Sequence, residues 1–234
     1  MKGLFYGVLL QWKMDLRSKT MLIGCYLVPL AFFSLMGGIF VSIMPESRQT
    51  LTQTMTVFAI SMGALIGLPP TLVEFYGSDI RKVYQVSGIP GWVGFVLALL
   101  SAFCHLLLMS VLLFGLSFVC FGGEIPQNLQ EYVLALILLL LASLFMAGVV
   151  GLGVKDQAKT SLFSILLFLP SILLLGVFFP AELLSPVLEG VGKCFPAFWG
   201  SRLLMGGFHW TDILPLAGLL FLYGGLCILL LKKS

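Results

Sequence analysis

The ionisable and nucleophilic side chains of this sequence form none of the common catalytic motifs. The nearest likeness to a phosphate-binding loop, residues 148–155, lacks the Gly-Lys-Ser/Thr ending and lies in an apolar run, which indicates helix packing instead. No H-E-x-x-H zinc motif or G-x-S-x-G serine motif is present. The five cysteines mostly fall in apolar runs and lack C-x-x-C spacing, which argues against a zinc site or a disulfide framework. The sequence therefore predicts a chain that is not itself an enzyme.

One histidine is an exception, because it is an ionisable side chain within an apolar run. His105 lies about halfway along a long apolar run and, cysteines apart, is the only ionisable side chain expected deep in such a run. It is a candidate contact on a substrate or proton path, because ionisable groups inside membrane spans often mark such paths. The alternative, which the sequence favours, is a neutral imidazole hydrogen-bonded across a pair of helices. Glu74 and Asp156 fall near the ends of apolar runs, where they are easily solvated.

A short polar segment, residues 74–90, interrupts the apolar pattern and has the features of a separate helix. Ser78 is suited to cap a helix and Asp79 to occupy its positive N-terminal end, while Gly88 and Pro90 form a stop signal. One face of this predicted helix, its apolar stripe, consists of Ile80, Val83, Tyr84 and Ser87. The basic residues Arg81 and Lys82 are displaced from that face. The alternative is a solvated connector, but a connector needs neither cap, stripe nor stop.

The elements around this segment are apolar helices. The chain has 234 residues, of which 59% are hydrophobic and only 10% charged, with a mean hydropathy of +1.09. A soluble domain carries about 25% charged residues, and an apolar helix of about 20 residues spans the hydrocarbon core of a bilayer. The sequence predicts an all-α integral membrane protein with a single domain, residues 1–234. Its six predicted spans are 21–43, 51–73, 92–120, 132–154, 161–179 and 213–231.

Two further parts of the chain are too polar or too short to span. Residues 1–19 repeat apolar side chains at helical spacing, which predicts an amphipathic helix lying in the membrane interface. The other positions hold Lys2, Gln11, Lys13, Asp15, Arg17 and Lys19. Residues 180–210 are divided by Pro180, Pro186 and Pro196, and we expect two short re-entrant or interfacial helices there, with an ordinary extramembrane loop as the alternative. We also expect Pro69 and Pro70 to bend or break the second span.

Basic residues predict the orientation of the chain. With the N-terminus inside, six spans place the C-terminus inside too, and 10 of the 13 lysines and arginines then lie on the inner side. Only Arg48, Lys193 and Arg202 lie outside. This asymmetry across short loops is the positive-inside pattern. It predicts a multi-pass protein of the plasma or inner membrane with both termini, and segment 74–90, in the cytoplasm.

Taken together, these features resemble the membrane permease of ABC-2 type ABC transporters. That family combines an interfacial N-terminal helix, six spans, a coupling helix after the second span and short re-entrant helices between the fifth and sixth. Residues 74–90 resemble its acidic residue and Gly, short basic helix and Pro, although Val73-Glu74-Phe75-Tyr76-Gly77 keeps only one acid and the Gly of the usual E-R-E-x-G form. Residues 179–186 through Pro196 and Arg202 resemble its tail before the last span.

The resemblance implies a transport subunit that does not hydrolyse ATP itself. Its partners would be a separate ABC ATPase subunit carrying ATP and Mg, a second permease in a homodimer or heterodimer, and the lipid bilayer; no nucleic acid is implied. The ATPase contact would be made by Glu74, Gly77, Ser78, Asp79, Ile80, Arg81, Lys82, Val83, Tyr84 and Gln85. The chain itself would hold no cofactor and no metal.

The expected activity is ATP-driven export of an amphipathic or lipid-like substrate, such as an antimicrobial peptide, a drug or a lipid. Spans rich in Phe, Leu, Met and Gly suit such cargo, although lipid-facing helices require the same residues. The alternative is an ATP-independent secondary transporter or a scaffold for a membrane complex. Secondary carriers often show internal repeats, and the first three and last three spans show none.

Overall fold

The computed structural model describes residues 2–43, 48–77, 86–124, 126, 128–175 and 185–233. These residues form helices and contain no strands. The helices, labelled in chain order, are α1 (Lys2–Asp15), α2 (Lys19–Leu22, Ile23–Leu27 and Val28–Ile43), α3 (Arg48–Met62, Gly63–Gly67 and Leu68–Gly77), α4 (Trp92–Phe121), α5 (Leu129–Gly153), α6 (Gln157–Leu173), α7 (Pro186–Gly192), α8 (Pro196–Gly206) and α9 (Trp210–Lys233).

Five of the helices are long and apolar enough to cross a membrane, so the fold fits a multi-pass membrane protein. They are Ile23–Ile43, Arg48–Gly77, Trp92–Phe121, Leu129–Gly153 and Trp210–Lys232. Each matches a predicted span to within a few residues. The sixth prediction, 161–179, corresponds to α6 as far as Leu173; α6 is a shorter apolar helix, and residues 176–179 lie outside the described part.

Helix α3 is the core of the bundle. In its most apolar stretch 89% of the residues are buried, against 17% in α2 and 11% in α9. The neighbours of α3 include α2, α4, α5, α6 and α8, so α3 is enclosed on most sides. The outer helices α2 and α9 expose large apolar side chains, among them Leu35, Ile43 and Phe221. Such faces are stable only against lipid or another subunit.

We predicted that Pro69 and Pro70 bend or break the second span; the break is wrong, because α3 continues through them to Gly77. A proline normally clashes with the carbonyl four residues earlier. In α3 the five residues just before Leu68, Gly63–Gly67, form a π-helical turn, which is wider than an α-helical turn. Helix α2 repeats this arrangement, with the π turn Ile23–Leu27 placed two residues before Pro29. We interpret both π turns as the local widening that accommodates the proline rings.

The two π turns pack against each other where α2 crosses α3. Cys25 is fully buried and its Sγ lies 3.8 Å from the Gly63 carbonyl oxygen. A Cβ atom at Gly67 would lie 2.9 Å from Cys25 Sγ, and one at Gly63 would overlap Leu106 of α4. Gly63 and Gly67, four residues apart, thus allow close approach of the neighbouring helices.

Short helices lie between α6 and α9, in the region where re-entrant or interfacial helices were expected. Helix α7 is capped by Ser185, whose Oγ accepts a hydrogen bond from the Leu188 amide at 3.4 Å. Helix α8 starts at Pro196 and is mostly buried against α5, α3 and α9. Residues 180–184 of the predicted region lie outside the described part. Whether α7 and α8 re-enter a membrane stays a prediction.

Candidate functional site

Most of the predicted docking helix, Ser78, Asp79, Ile80, Arg81, Lys82, Val83, Tyr84 and Gln85, lies outside the described residues. The structure does describe both ends of the segment. Glu74 and Gly77 are exposed at the end of α3. On the other side, Gly88 has φ +68°, a left-handed conformation that suits the predicted helix stop.

The two ends of this segment are fastened to each other. Tyr76 Oη donates a hydrogen bond to the Gly91 carbonyl oxygen at 2.7 Å. The Phe75 ring packs against Gly94 so closely that any Cβ there would overlap it. The end of α3 and the start of α4 are therefore held side by side.

A small cavity of about 100 Å³ adjoins this place and brings in a second loop. Its wall includes Tyr76 and Gly77 of α3, Gly151 of α5, and Lys155. Asp156, next to Lys155, caps α6 by accepting a hydrogen bond from the Lys159 amide at 2.9 Å. The surface around Gly77 thus includes the loop between α5 and α6. We call this end of the bundle the docking end.

His105 lies inside the bundle, 13 residues into α4 and so about 20 Å from the start of that helix. It is fully buried. Tyr26 Oη, in the π turn of α2, lies 2.7 Å from His105 Nδ1, and the Trp12 ring of α1 lies 5.0 Å from the imidazole. The imidazole is thus bonded across a helix pair, as the alternative interpretation describes. Its place on a substrate path stays a prediction.

The sequence analysis missed the acidic partner of His105. Asp15, at the end of α1, is only 4% exposed. One carboxylate oxygen accepts a hydrogen bond from Gln11 Nε2 at 2.9 Å and the other accepts one from Ser101 Oγ. The second oxygen also lies 3.9 Å from His105 Nε2. Asp15, His105 and Tyr26 thus form a carboxyl–imidazole–phenol chain that joins α1, α4 and α2, which we call the inner triad.

The surroundings of Asp15 favour its neutral form. Burial raises the pKa of the Asp15 carboxyl above its ordinary value, and the hydrogen bonds from Ser101 and Gln11 and the charge of His105 offset this only in part. His105 Nε2 is buried and makes no hydrogen bond to the described residues. The Asp15 carboxyl is therefore suited to hold a proton, 3.9 Å from an imidazole nitrogen that has no hydrogen bond of its own among the described residues.

The side of helix α1 that faces the bundle carries both polar and apolar residues, which explains why the sequence pattern did not reveal Asp15. Phe5 and Tyr6 are 68% and 69% exposed, whereas Val8 and Trp12 are half-buried on the same side as Asp15. The predicted apolar stripe is therefore divided between the outside and α4. A signal was available, since Asp15 follows Trp12 by three residues and Val8 by seven, and so shares their face.

Among the described residues, no group of three or more His, Cys, Asp or Glu side chains is placed to hold a metal ion. No protein-family model matches this chain, and no curated protein sequence matches it.

Proposed function

We propose that this chain is the membrane-spanning permease subunit of an ATP-driven exporter of the ABC-2 type, powered by a separate ATPase subunit. The observation that carries the proposal is the fastening of the end of α3, the most buried helix, to the start of α4, at the two ends that flank residues 78–90. A helix that must receive force from a partner needs a stiff connection to the core. The Tyr76–Gly91 hydrogen bond and the Phe75–Gly94 contact supply one.

Several other features support the same assignment. A helix, α1, precedes the spans, and two short helices, α7 and α8, lie before the last span, as in the family that the sequence resembles. The exposed apolar faces of α2 and α9 suit contact with lipid or with a second permease. The docking end carries the predicted inner-side basic residue Lys155, which fits its assignment to the cytoplasm. In this proposal the cargo is amphipathic or lipid-like.

Co-purification with the ATPase subunit tests the proposal. Ile80→Asp and Tyr84→Asp place a carboxylate on the predicted docking stripe, and each should abolish recovery of the ATPase with the tagged permease. Val86→Asp is the matched control, because Val86 is 89% exposed and lies off that stripe. Unchanged recovery and transport in both stripe variants would contradict the proposal, provided that all three variants reach the membrane in equal amounts.

The inner triad favours a second candidate, an ATP-independent transporter coupled to protons. A buried carboxyl beside a buried imidazole is an arrangement that proton-coupled carriers use. Uptake of a fluorescent amphiphile by inverted membrane vesicles distinguishes the two candidates. The exporter requires ATP and tolerates Asp15→Asn, whereas the proton-coupled carrier responds to a pH gradient alone and loses that response with Asp15→Asn.

A further inference from the structure

Two adjoining cavities lie at the end of the bundle away from the docking end. The larger has a volume of about 610 Å³ and its wall includes Thr54, Ser201, Arg202 and Asp212. The smaller has a volume of about 450 Å³ and its wall includes Gln53, Glu124 and Glu131. Thr50, Met205 and Gly206 belong to both walls, so the two spaces meet. We call them together the vestibule; the charge pattern of the chain predicts that it faces outward.

The vestibule has an acidic wall. Three carboxylates, those of Glu124, Glu131 and Asp212, line it beside a single guanidinium, that of Arg202. In a partly buried site each charge acts over a longer range than in water, because the local dielectric constant is lower. The excess of two negative charges therefore favours a cation.

Asp212 supplies an observation independent of this charge count. The residue is 4% exposed and lies in the first turn of α9. Arg202 Nε approaches its Oδ1 to 3.1 Å, but this buried oxygen has no aligned hydrogen-bond donor among the described residues. Arg202 itself is half-exposed and lies 5.9 Å and 6.0 Å from the Phe198 and Trp199 rings. A buried carboxylate oxygen on a cavity wall, with no aligned donor among the described residues, is suited to attract a cationic ligand by its charge.

The rest of the wall suits the uncharged part of such a ligand. Leu175, Leu203, Leu204 and Met205 give apolar surface, and Tyr132 gives an aromatic ring. Aromatic rings attract cations across their faces. Hydroxyl and amide groups from α3, at Thr50, Gln53 and Thr54, lie between the acidic and apolar parts.

We propose that the vestibule is a binding site for organic cations with an apolar body, in which the cationic centre lies next to Asp212 and Glu131. As a statement about cargo this rests on the proposed exporter function. Binding itself needs neither ATP nor the ATPase subunit, so the site can be tested on the purified chain alone. The competing interpretation, that Arg202 makes the vestibule an anion site, is decided by the same experiment.

The test compares two hydrophobic ions of almost equal size and opposite charge, tetraphenylphosphonium and tetraphenylborate. Equilibrium binding of each is measured on the full chain in phosphatidylcholine nanodiscs, with empty nanodiscs to subtract partition into lipid. The phosphonium ion should bind saturably, and Asp212→Asn should weaken its binding about tenfold or more. Glu131→Gln, in the wall of the smaller cavity, should weaken it by a smaller factor because this side chain is half-exposed.

Glu189→Gln is the matched control, since it removes one negative charge from a carboxylate outside the vestibule that pairs with Lys193 at 2.9 Å. It should leave the affinity unchanged. Tighter binding of tetraphenylborate, or equal affinity of the folded Asp212→Asn and Glu131→Gln chains for the phosphonium ion, would overturn the proposal. Saturable binding together with failure of the ATPase co-purification experiment would overturn the exporter function alone.

Discussion

The chain buries two carboxylates, Asp15 and Asp212, at opposite parts of the bundle, and their surroundings differ. Both are 4% exposed. Asp15 is closed in by side chains that donate to it from α1 and α4 and by the imidazole of His105. Asp212 lies on a cavity wall with one half-exposed guanidinium as its charged neighbour.

This difference separates two uses of a buried acid. A carboxylate whose oxygens are taken up by the protein's own donors joins helices, and its removal leaves those donors without a partner. A carboxylate that faces a cavity is available to a ligand and contributes less to the fold. The inner triad therefore has a structural or proton-holding role, and the vestibule has a binding role. Substitutions at the two places should behave differently.

The largest effect is expected at the centre of the inner triad. His105→Leu removes the imidazole next to the Asp15 carboxylate and the partner of the Tyr26 hydroxyl. Leaving the buried Asp15 carboxyl and the Tyr26 hydroxyl without this neighbour costs about 1–3 kcal/mol. Equilibrium unfolding of the detergent-solubilised chain should show this loss. His209→Leu is the control, because His209 is exposed at the vestibule end, and it should leave the stability nearly unchanged. Equal stability of both variants would contradict the contrast between the two regions.

The positions of the helices could be predicted from the sequence, because hydropathy over about 20 residues depends little on what each helix contacts. Trp92 begins the predicted and the observed third span, and residue 43 ends the first. The stop predicted at Gly88, just before α4, was also readable from the sequence, and Gly88 has the left-handed conformation that suits it. These features are local, and so the sequence contains them.

Which side of each helix faces the bundle could not be predicted in the same way. In water an apolar stripe must turn inward, but in a membrane apolar side chains are stable against lipid, and polar ones gain by turning inward. Helix α1 therefore exposes Phe5 and Leu9 and buries Asp15. The two π turns were missed for another reason. A wide turn that admits Pro69 depends on packing against Cys25, which is distant in the sequence.

A smaller effect is expected when the pH is changed around Asp15. Its pKa in the folded chain lies above the ordinary value of 3.8. The unfolded chain therefore loses this proton first as the pH rises, and stability falls from about pH 3.8 up to the raised pKa, beyond which the effect is constant. Asp15→Asn has no proton to lose there, so its stability relative to the unsubstituted chain should rise over that window. Unfolding curves collected at several pH values measure the difference.

Leu10→Ala is the control for this pH experiment. Leu10 is 50% exposed on the same helix, α1, and neither leucine nor alanine carries a titratable proton. Its stability curve should run parallel to that of the unsubstituted chain. If Asp15→Asn also ran parallel, burial of Asp15 would not favour its neutral form, and the inner triad would not hold a proton in the way described above.

The smallest effect is expected at the other buried carboxylate. Asp212→Asn breaks no aligned hydrogen bond to Asp212 Oδ1, because none is present among the described residues. The released Arg202 side chain is 53% exposed and can be hydrated. Loss of a surface-type ion pair, and of a negative charge in the first turn of α9, each cost up to about 1 kcal/mol, and relief of carboxylate burial opposes both. A net change within about 0.5 kcal/mol is expected in the unfolding experiment used for His105→Leu. A loss as large as that of His105→Leu would make Asp212 a structural residue like Asp15 and would remove the distinction between the closed inner triad and the open vestibule.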